Sequence, residues 1–269
     1  MTWIQALLLG ILQGFTEFLP ISSSGHLVIV PHLLNWPDPG LVMDTLLHLG
    51  TMTAIVAYFW RDIWELMVAG WQGLQQRVFD EPDGRLAWGI VLGTIPAALI
   101  GFLLEDFFER LFGMPRAAAG FLLGTAALLL VSEYLARQQR DLTGISWRDA
   151  FLIGLAQTLA IAPGLSRSGS TIAAGLLLGY RREDATRFSF FLAVPIILGS
   201  GLYQMVKILT GSAVVTSSWG VMALGFLASA VTGYAAIAGL LAFVRRRSLW
   251  PFAAYCALFG ISVLTGLLG

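Results

Sequence analysis

Charge is scarce in this 269-residue chain: Asp, Glu, Lys and Arg together make up 12%, against 57% hydrophobic residues. Soluble domains carry about twice that share of charge, so water is not the main solvent of this fold. Sixteen basic residues balance sixteen acidic ones, which leaves no global field to attract nucleic acid. Cysteine occurs once, at Cys256. That excludes an intramolecular disulfide and a thiolate metal cluster, and within an apolar run the thiol reads as a packing residue. Neither a Walker-A loop nor a GxGxxG run occurs, so no nucleotide is implied. The N-terminal MTWIQALLLG has no Lys or Arg before its apolar run and no small-residue cleavage site after it, and reads as uncleaved.

Long apolar runs are what the chain has instead. Residues 86–104, 117–132, 188–206, 219–244 and 249–268 approach or exceed the roughly 20 residues a helix needs to cross a bilayer. They are too long and too uniformly apolar for barrel strands, so the spans should be helices, which satisfy their own backbone in hydrocarbon. The fold class is an all-α integral membrane protein, a single membrane domain over residues 1–269.

Shifted by 144 residues, the sequence aligns GILQGFTEFLPISSSGHL with GLAQTLAIAPGLSRSGST without a gap. Gly10 falls on Gly154, Gln13 on Gln157, Ser22 on Ser166, Ser24 on Ser168 and Gly25 on Gly169. These matches define two repeats, about 1–136 and 149–269, an arrangement common in membrane transporters. In the second repeat, apolar residues 150–162 stop at Pro163-Gly164, and Thr171 to Tyr180 add a further short stretch. Neither piece is long enough to span, and proline with Gly164 and Gly169 breaks the helix. The pair reads as a re-entrant helical hairpin. The first repeat, with Pro20, Gly25 and Pro31, reads likewise. Three full spans after each hairpin make six.

Charge placement supports this parse. With both hairpins re-entrant, twelve basic residues (Arg61, Arg77, Arg85, Arg137, Arg140, Arg148, Arg181, Arg182, Arg187 and Arg245 to Arg247) share one side, against Arg110, Arg116 and Lys207 on the other. A spanning second hairpin would divide them seven against eight, which no positive-inside bias produces. Both termini then face away from the cytoplasm. Three crossings invert the second repeat relative to the first, so the two broken tips meet near mid-membrane.

Polar residues gather at those tips. Glu17 follows Gln13 by four residues, on the same helix face. An intramembrane carboxylate costs roughly 2.5–3.5 kcal/mol at a helix centre, so it marks a site. Gly10 and Gly14 form a GxxxG step that reads as close helix packing. Serines of SSSGH and SRSGS precede apolar helical stretches, where Ser is a favoured N-cap. Capping does not explain Arg167, the arginine placed in a hairpin tip. A buried guanidinium needs an anion, either Glu17 or a phosphate, and helix N-termini would add to an anion site. His26 lies beside Ser23, Glu17 and Arg167 and is read as a catalytic or ligand contact. His32 and His48 lack such company and are read as structural. Carboxylate, imidazole, hydroxyls and guanidinium around an anion are the parts of a phosphoryl-transfer site, with Glu17 able to hold a divalent cation or take a proton. A site open sideways to the bilayer suits a lipid phosphate.

At these residues the sequence closely resembles the undecaprenyl-pyrophosphate phosphatase family, also called the bacitracin-resistance protein family. Its first signature, Glu/Gln-x-x-x-Glu leading into Pro-x-Ser-Ser-x-Gly-His, reads here QGFTE with PISSSGH; its second reads PGLSRSGST. The resemblance extends over almost the whole chain. It implies hydrolysis of undecaprenyl diphosphate to the monophosphate and phosphate, recycling the lipid carrier of bacterial wall synthesis and conferring bacitracin resistance. It also implies a divalent cation, Mg2+ or Ca2+, held by Glu17 with Gln13, the latter standing where many members have Glu. Catalytic roles fall on Glu17, Ser23, His26 and Arg167; phosphate contacts fall on Ser22, Ser24, Gly25, Ser166, Arg167, Ser168, Gly169 and Thr171. The implied place is the bacterial cytoplasmic (inner) membrane, with the site opening towards the periplasm. SSSGH with SRS also resembles the PAP2 lipid phosphatases, but those need a histidine after the arginine as nucleophile, and none follows His48 here. The rival reading is a transporter of polyprenyl phosphate, which would need the same anion clamp but no nucleophile.

Overall fold

The computed structural model describes residues 1–37, 39–210 and 217–268. Among these, the chain forms helices α1 (Trp3–Phe18), α2 (Ser23–Leu33), α3 (Leu41–Tyr58), α4 (Trp60–Gln76), α5 (Pro82–Leu103), α6 (Glu105–Phe112) and α7 (Pro115–Leu135). There follow α8 (Trp147–Gln157), α9 (Arg167–Leu177), α10 (Arg182–Leu209), α11 (Trp219–Val244) and α12 (Trp250–Leu264), with 3₁₀ turns at Leu142–Gly144 and Thr158–Ile161. The all-helical expectation holds for the described residues, where one isolated bridge, Arg140 to Tyr180, is the extended pairing found.

Among the described residues five helices, α3, α5, α7, α10 and α11, are long and apolar enough to cross a membrane. The sixth expected span, over 249–268, is the 15-residue α12, about 22 Å long at 1.5 Å per residue. Helix α4 carries Trp60, Trp64 and Trp71 exposed at spacings that share one face. It links α3 to α5 as an amphipathic piece of the kind that suits a membrane surface.

Where the hairpins are expected, short helices α1 and α2, and α8 and α9, pack against each other, with breaks narrower than the glycines and prolines suggest. In the first, α1 stops at Phe18 and α2 starts at Ser23; Gly25 and Pro31 lie inside α2. In the second, Gly169 lies inside α9, which begins at Arg167, ahead of the expected Thr171. Serine caps account for these early starts, because Ser22 Oγ accepts from Gly25 N–H (3.2 Å) and Ser166 Oγ from Gly169 N–H (3.0 Å). Gly25 serves approach rather than breakage: a Cβ there would sit 2.9 Å from the Gly164 Cα of the other tip. Gly164 turns the second hairpin at φ +103°, a conformation glycine adopts without steric cost.

Each hairpin is held by a helix from the other half of the chain. α1 lies against α11 and α3, and α8 lies against α5. At the first contact the GxxxG step does what its spacing implies, since a Cβ on Gly10 would overlap the Gly225 carbonyl and one on Gly14 the Thr232 hydroxyl. Below the tips, Phe18, Phe59, Phe188, Phe190 and Phe191 join one core, with Phe18 edge-on to Phe190 at 5.3 Å.

The far end of this core is closed by arginines that pair. Arg182 donates to both oxygens of Glu133 (2.8 and 2.7 Å), and Glu133 Oε1 also accepts the Leu249 N–H at the start of α12 (2.7 Å). Arg140 and Tyr180 both donate to Asp149 Oδ2 (2.5 and 2.8 Å), Arg187 bonds Asp62, and Arg245 reaches Glu183 at 2.6 Å. Glu133 thus joins α7, α10 and α12. Glu133→Ala is expected to destabilise the fold by about 3 kcal/mol, the lower end for breaking a buried pair, read as a fall in thermal midpoint of the detergent-purified protein.

Candidate active site

Glu17 is the centre of the site and sits in the last turn of α1, 6% exposed. Four positions earlier, Gln13 donates its Nε2 to Glu17 Oε2 (3.0 Å), as the shared helix face requires. Ser23 opens α2 on the other side of the Leu19–Ser22 turn, and its hydroxyl donates to the same Oε2 at 2.5 Å. From the opposite hairpin, Arg167 donates to Glu17 Oε1 (3.0 Å) and to the Ser189 carbonyl (3.0 Å). Of the two anions open to Arg167 from the sequence, Glu17 or a phosphate, Glu17 is the one it contacts here, across a sequence separation of 150 residues. A low-dielectric surrounding strengthens this pair and would make either partner costly alone.

Hydroxyls stitch the two tips together. Ser22 Oγ accepts the Gly164 N–H (3.1 Å) as well as its own cap bond, and Ser168 donates to the Leu19 carbonyl (3.1 Å). Ser24 Oγ lies 3.3 Å from Ser22 Oγ, and Ser166 Oγ 3.2 Å from Ser168 Oγ. Thr125 on α7 holds the second tip from behind, donating to the Gly164 carbonyl (2.8 Å) and accepting the Ser166 N–H (2.9 Å). Thr171 is buried, with Oγ1 2.7 Å from Ser189 Oγ and 2.8 Å from the Arg167 carbonyl. Ser22 has φ +69°, a left-handed conformation that non-glycine residues adopt at a cost and that clusters at functional sites. In this way the N-termini of α2 and α9 come together, and helix N-termini present backbone N–H groups to an anion.

Gln13, Glu17, Ser23 and Arg167 thus converge, with the tip serines Ser22, Ser24, Ser166 and Ser168 around them. His26 does not join that cluster. Its Nδ1 is 2.7 Å from the Ser22 carbonyl and its Nε2 2.7 Å from the Tyr255 hydroxyl on α12. The ring stacks on Tyr255 and Phe259, with centroids 5.6 and 5.0 Å away. His48, read from sequence as structural, lies instead with Nε2 3.6 Å from Glu17 Oε2. Ser189 and Tyr255 are further partners that no motif pointed to.

A hydroxyl bonded to a carboxylate can be activated as a nucleophile, with the carboxylate as base. A guanidinium on the far oxygen of that carboxylate, beside two helix N-termini, is suited to phosphate oxygens. For a divalent cation, the fit rests on Gln13: its Oε1 is buried and has no hydrogen-bond partner, leaving an oxygen ligand beside the Glu17 carboxylate. Among the described residues, no group of three or more His, Cys, Asp or Glu side chains surrounds one point. Such a cation would therefore draw on the amide oxygen and on substrate oxygens, as Mg2+ does at phosphate sites.

An apolar helical bundle with five helices long enough to span among the described residues, around a charged, hydroxyl-rich centre, is that of a multi-pass membrane protein. The model of the family described as bacitracin resistance protein BacA matches residues 6–262. Among curated relatives, the undecaprenyl-diphosphatase of Alcanivorax borkumensis is 44% identical over 264 residues, covering 98% of each chain. That of Pelobacter propionicus is 43% identical over the full length of both, and that of Paenarthrobacter aurescens 43% identical over 98% of this chain and 96% of its own. The chain belongs to the bacitracin resistance protein family.

Proposed function

We propose that this chain is a membrane lipid diphosphatase that hydrolyses undecaprenyl diphosphate to undecaprenyl phosphate and inorganic phosphate. In that role it returns the lipid carrier to peptidoglycan synthesis and, by depleting the diphosphate lipid, confers bacitracin resistance. The observation that carries the reading is the Ser23 hydroxyl 2.5 Å from Glu17 Oε2, with Arg167 on Oε1.

Ser23 Oγ attacks the terminal phosphorus and the bridging P–O bond breaks, releasing undecaprenyl phosphate. Glu17 takes the hydroxyl proton. Arg167 turns its fork to the phosphate oxygens and offsets the charge that develops there. Glu17 passes the Ser23 proton to the departing undecaprenyl phosphate; water then attacks the phosphoserine, Glu17 takes a proton from the water and returns it to Ser23 Oγ, and inorganic phosphate leaves with the Ser23 hydroxyl restored. A divalent cation, Mg2+ or Ca2+, held by Glu17 and Gln13 would supply further positive charge to the diphosphate. Tip serines Ser22, Ser24, Ser166 and Ser168, with Gly25, Gly169 and Thr171, set the two helix N-termini against the phosphate. His26, bonded to Ser22 and Tyr255, orients the start of α2.

The finer architecture in this reading is two inverted repeats, each a re-entrant hairpin with three spans, both termini outside the cytoplasm and the site facing the periplasm of the inner membrane. Supporting it are the 144-residue register and the reciprocal packing, in which the first helix of each hairpin lies on the middle long helix of the other half. The arginine-rich end, paired through Glu133, Asp149 and Asp62, is then cytoplasmic.

Phosphate release from long-chain polyprenyl diphosphate by purified protein in detergent tests the activity, because detergent removes the compartments that transport needs. Release is expected to fall to background with chelator and to return on adding Mg2+ or Ca2+. Folded protein that releases no phosphate would instead favour a carrier of polyprenyl phosphate, and release untouched by chelator would remove the cation.

A further inference from the structure

We infer that His48 is a nitrogen ligand of the divalent cation, completing the donor set begun by Glu17 and Gln13. The inference rests on the cation reading given above. His48 sits on α3, outside both hairpins and both sequence motifs, yet its Nε2 is 3.6 Å from Glu17 Oε2. Its other ring nitrogen, Nδ1, is 2.8 Å from the Asp44 carbonyl oxygen. A carbonyl accepts and never donates, so this contact assigns the ring proton to Nδ1. In the Nδ1–H tautomer the lone pair is on Nε2, the nitrogen that faces Glu17 and the one a metal ion would take.

Two candidate ligand atoms thus lie 3.6 Å apart, Nε2 of His48 and Oε2 of Glu17, and the Gln13 amide that bonds the same Oε2 has a partnerless Oε1. Arg167 addresses the opposite carboxylate oxygen, Oε1. A metal-bound imidazole almost always donates its second N–H to a carboxylate, carbonyl or water, which fixes its tautomer and orientation. The Asp44 carbonyl does this for His48. The imidazole is 29% exposed, while Glu17 and Gln13 are buried, so His48 borders the open side by which substrate oxygens or water would complete the shell. One imidazole among oxygens favours Mn2+ or Co2+ over Ca2+, which takes oxygen ligands almost exclusively. His48 is therefore a residue that sets metal preference.

The test uses full-length protein in detergent loaded with Mn2+, with all histidines carrying 14N or 15N, and reads nitrogen coupling by pulsed electron paramagnetic resonance. Only three histidines exist, so assignment needs one substitution. Wild type is expected to show histidine nitrogen coupling that changes with the isotope. His48→Gln is expected to lose it and to weaken Mn2+ binding by at least about 10-fold, while Ca2+ binding changes by less than about threefold because Gln still offers an oxygen. His32→Gln keeps the coupling.

Mn2+ that binds, is released by Glu17→Gln and shows no histidine coupling in wild type would overturn this inference and leave the cation reading standing. Coupling that survives in folded His48→Gln would overturn it equally. Absence of any Glu17-dependent Mn2+ binding would overturn both. Because the wild-type spectrum decides the main point, a variant that fails to fold does not rescue the inference.

Discussion

Arg167→Ala is expected to lower phosphate release by about 10²–10³-fold, the loss seen when one donor to a developing oxyanion is removed. The same substitution leaves Glu17 buried without its cationic partner, at a cost of about 3–5 kcal/mol, so thermal stability should fall together with activity. Arg167→Lys separates the two effects. Lysine restores a positive charge near Glu17 but replaces a two-pronged fork with a point charge. Its thermal midpoint should recover towards wild type while the rate stays low. An Arg167→Lys protein with full activity would show that charge alone suffices, and that the bonds to Glu17 Oε1 and the Ser189 carbonyl orient nothing of consequence.

Glu17→Gln is the second large expectation. Gln keeps the shape and can still accept the Ser23 hydroxyl, but it cannot take its proton. The rate of release should drop by about 10²–10⁴-fold, the range for a positioned general base. The drop should fall on kcat, because the lost interaction belongs to the transition state. A parallel loss confined to KM would recast Glu17 as a binding group. Gln13→Ala, by contrast, removes one bond to Glu17 and one oxygen ligand, so its effect should be smaller and should show mainly as a raised cation requirement.

Much of the site was legible because polar groups are expensive in an apolar chain. Glu17 and Arg167 each demanded a partner of opposite sign, and the two serine-rich breaks demanded capped helices. These constraints narrow the partner of Arg167 to Glu17 or a phosphate, and the packing of the two tips supplies Glu17. The GxxxG step of Gly10 and Gly14 was legible for the same kind of reason, since small residues at that spacing admit a neighbouring backbone.

What escaped the sequence is whatever depends on how helices rotate against one another. His48 reaches Glu17 only because α3 packs beside α1, and no spacing along the chain encodes that rotation. His26 is two residues from Ser24 and was expected at the phosphate. Yet a side chain one turn into α2 points away from the first-turn hydroxyls, and Tyr255 and Phe259 of α12 take it up. Glycine was read too simply as a breaker. Gly25 and Gly169 lie within helices because serine caps start those helices early, and at Gly25 the missing side chain makes room for the opposite tip. Pro31 likewise sits inside α2 near its end. The amphipathic α4 went unassigned because its tryptophan face is neither a long apolar run nor a polar loop.

The most direct test of the central claim is rapid quenching of turnover with substrate labelled at the terminal phosphorus, followed by mapping of any labelled peptide. The account predicts transient label on Ser23, absent from Ser23→Ala and prolonged when water attack is slowed. Full-rate phosphate release with no labelled protein, or label that persists in Ser23→Ala, would contradict it.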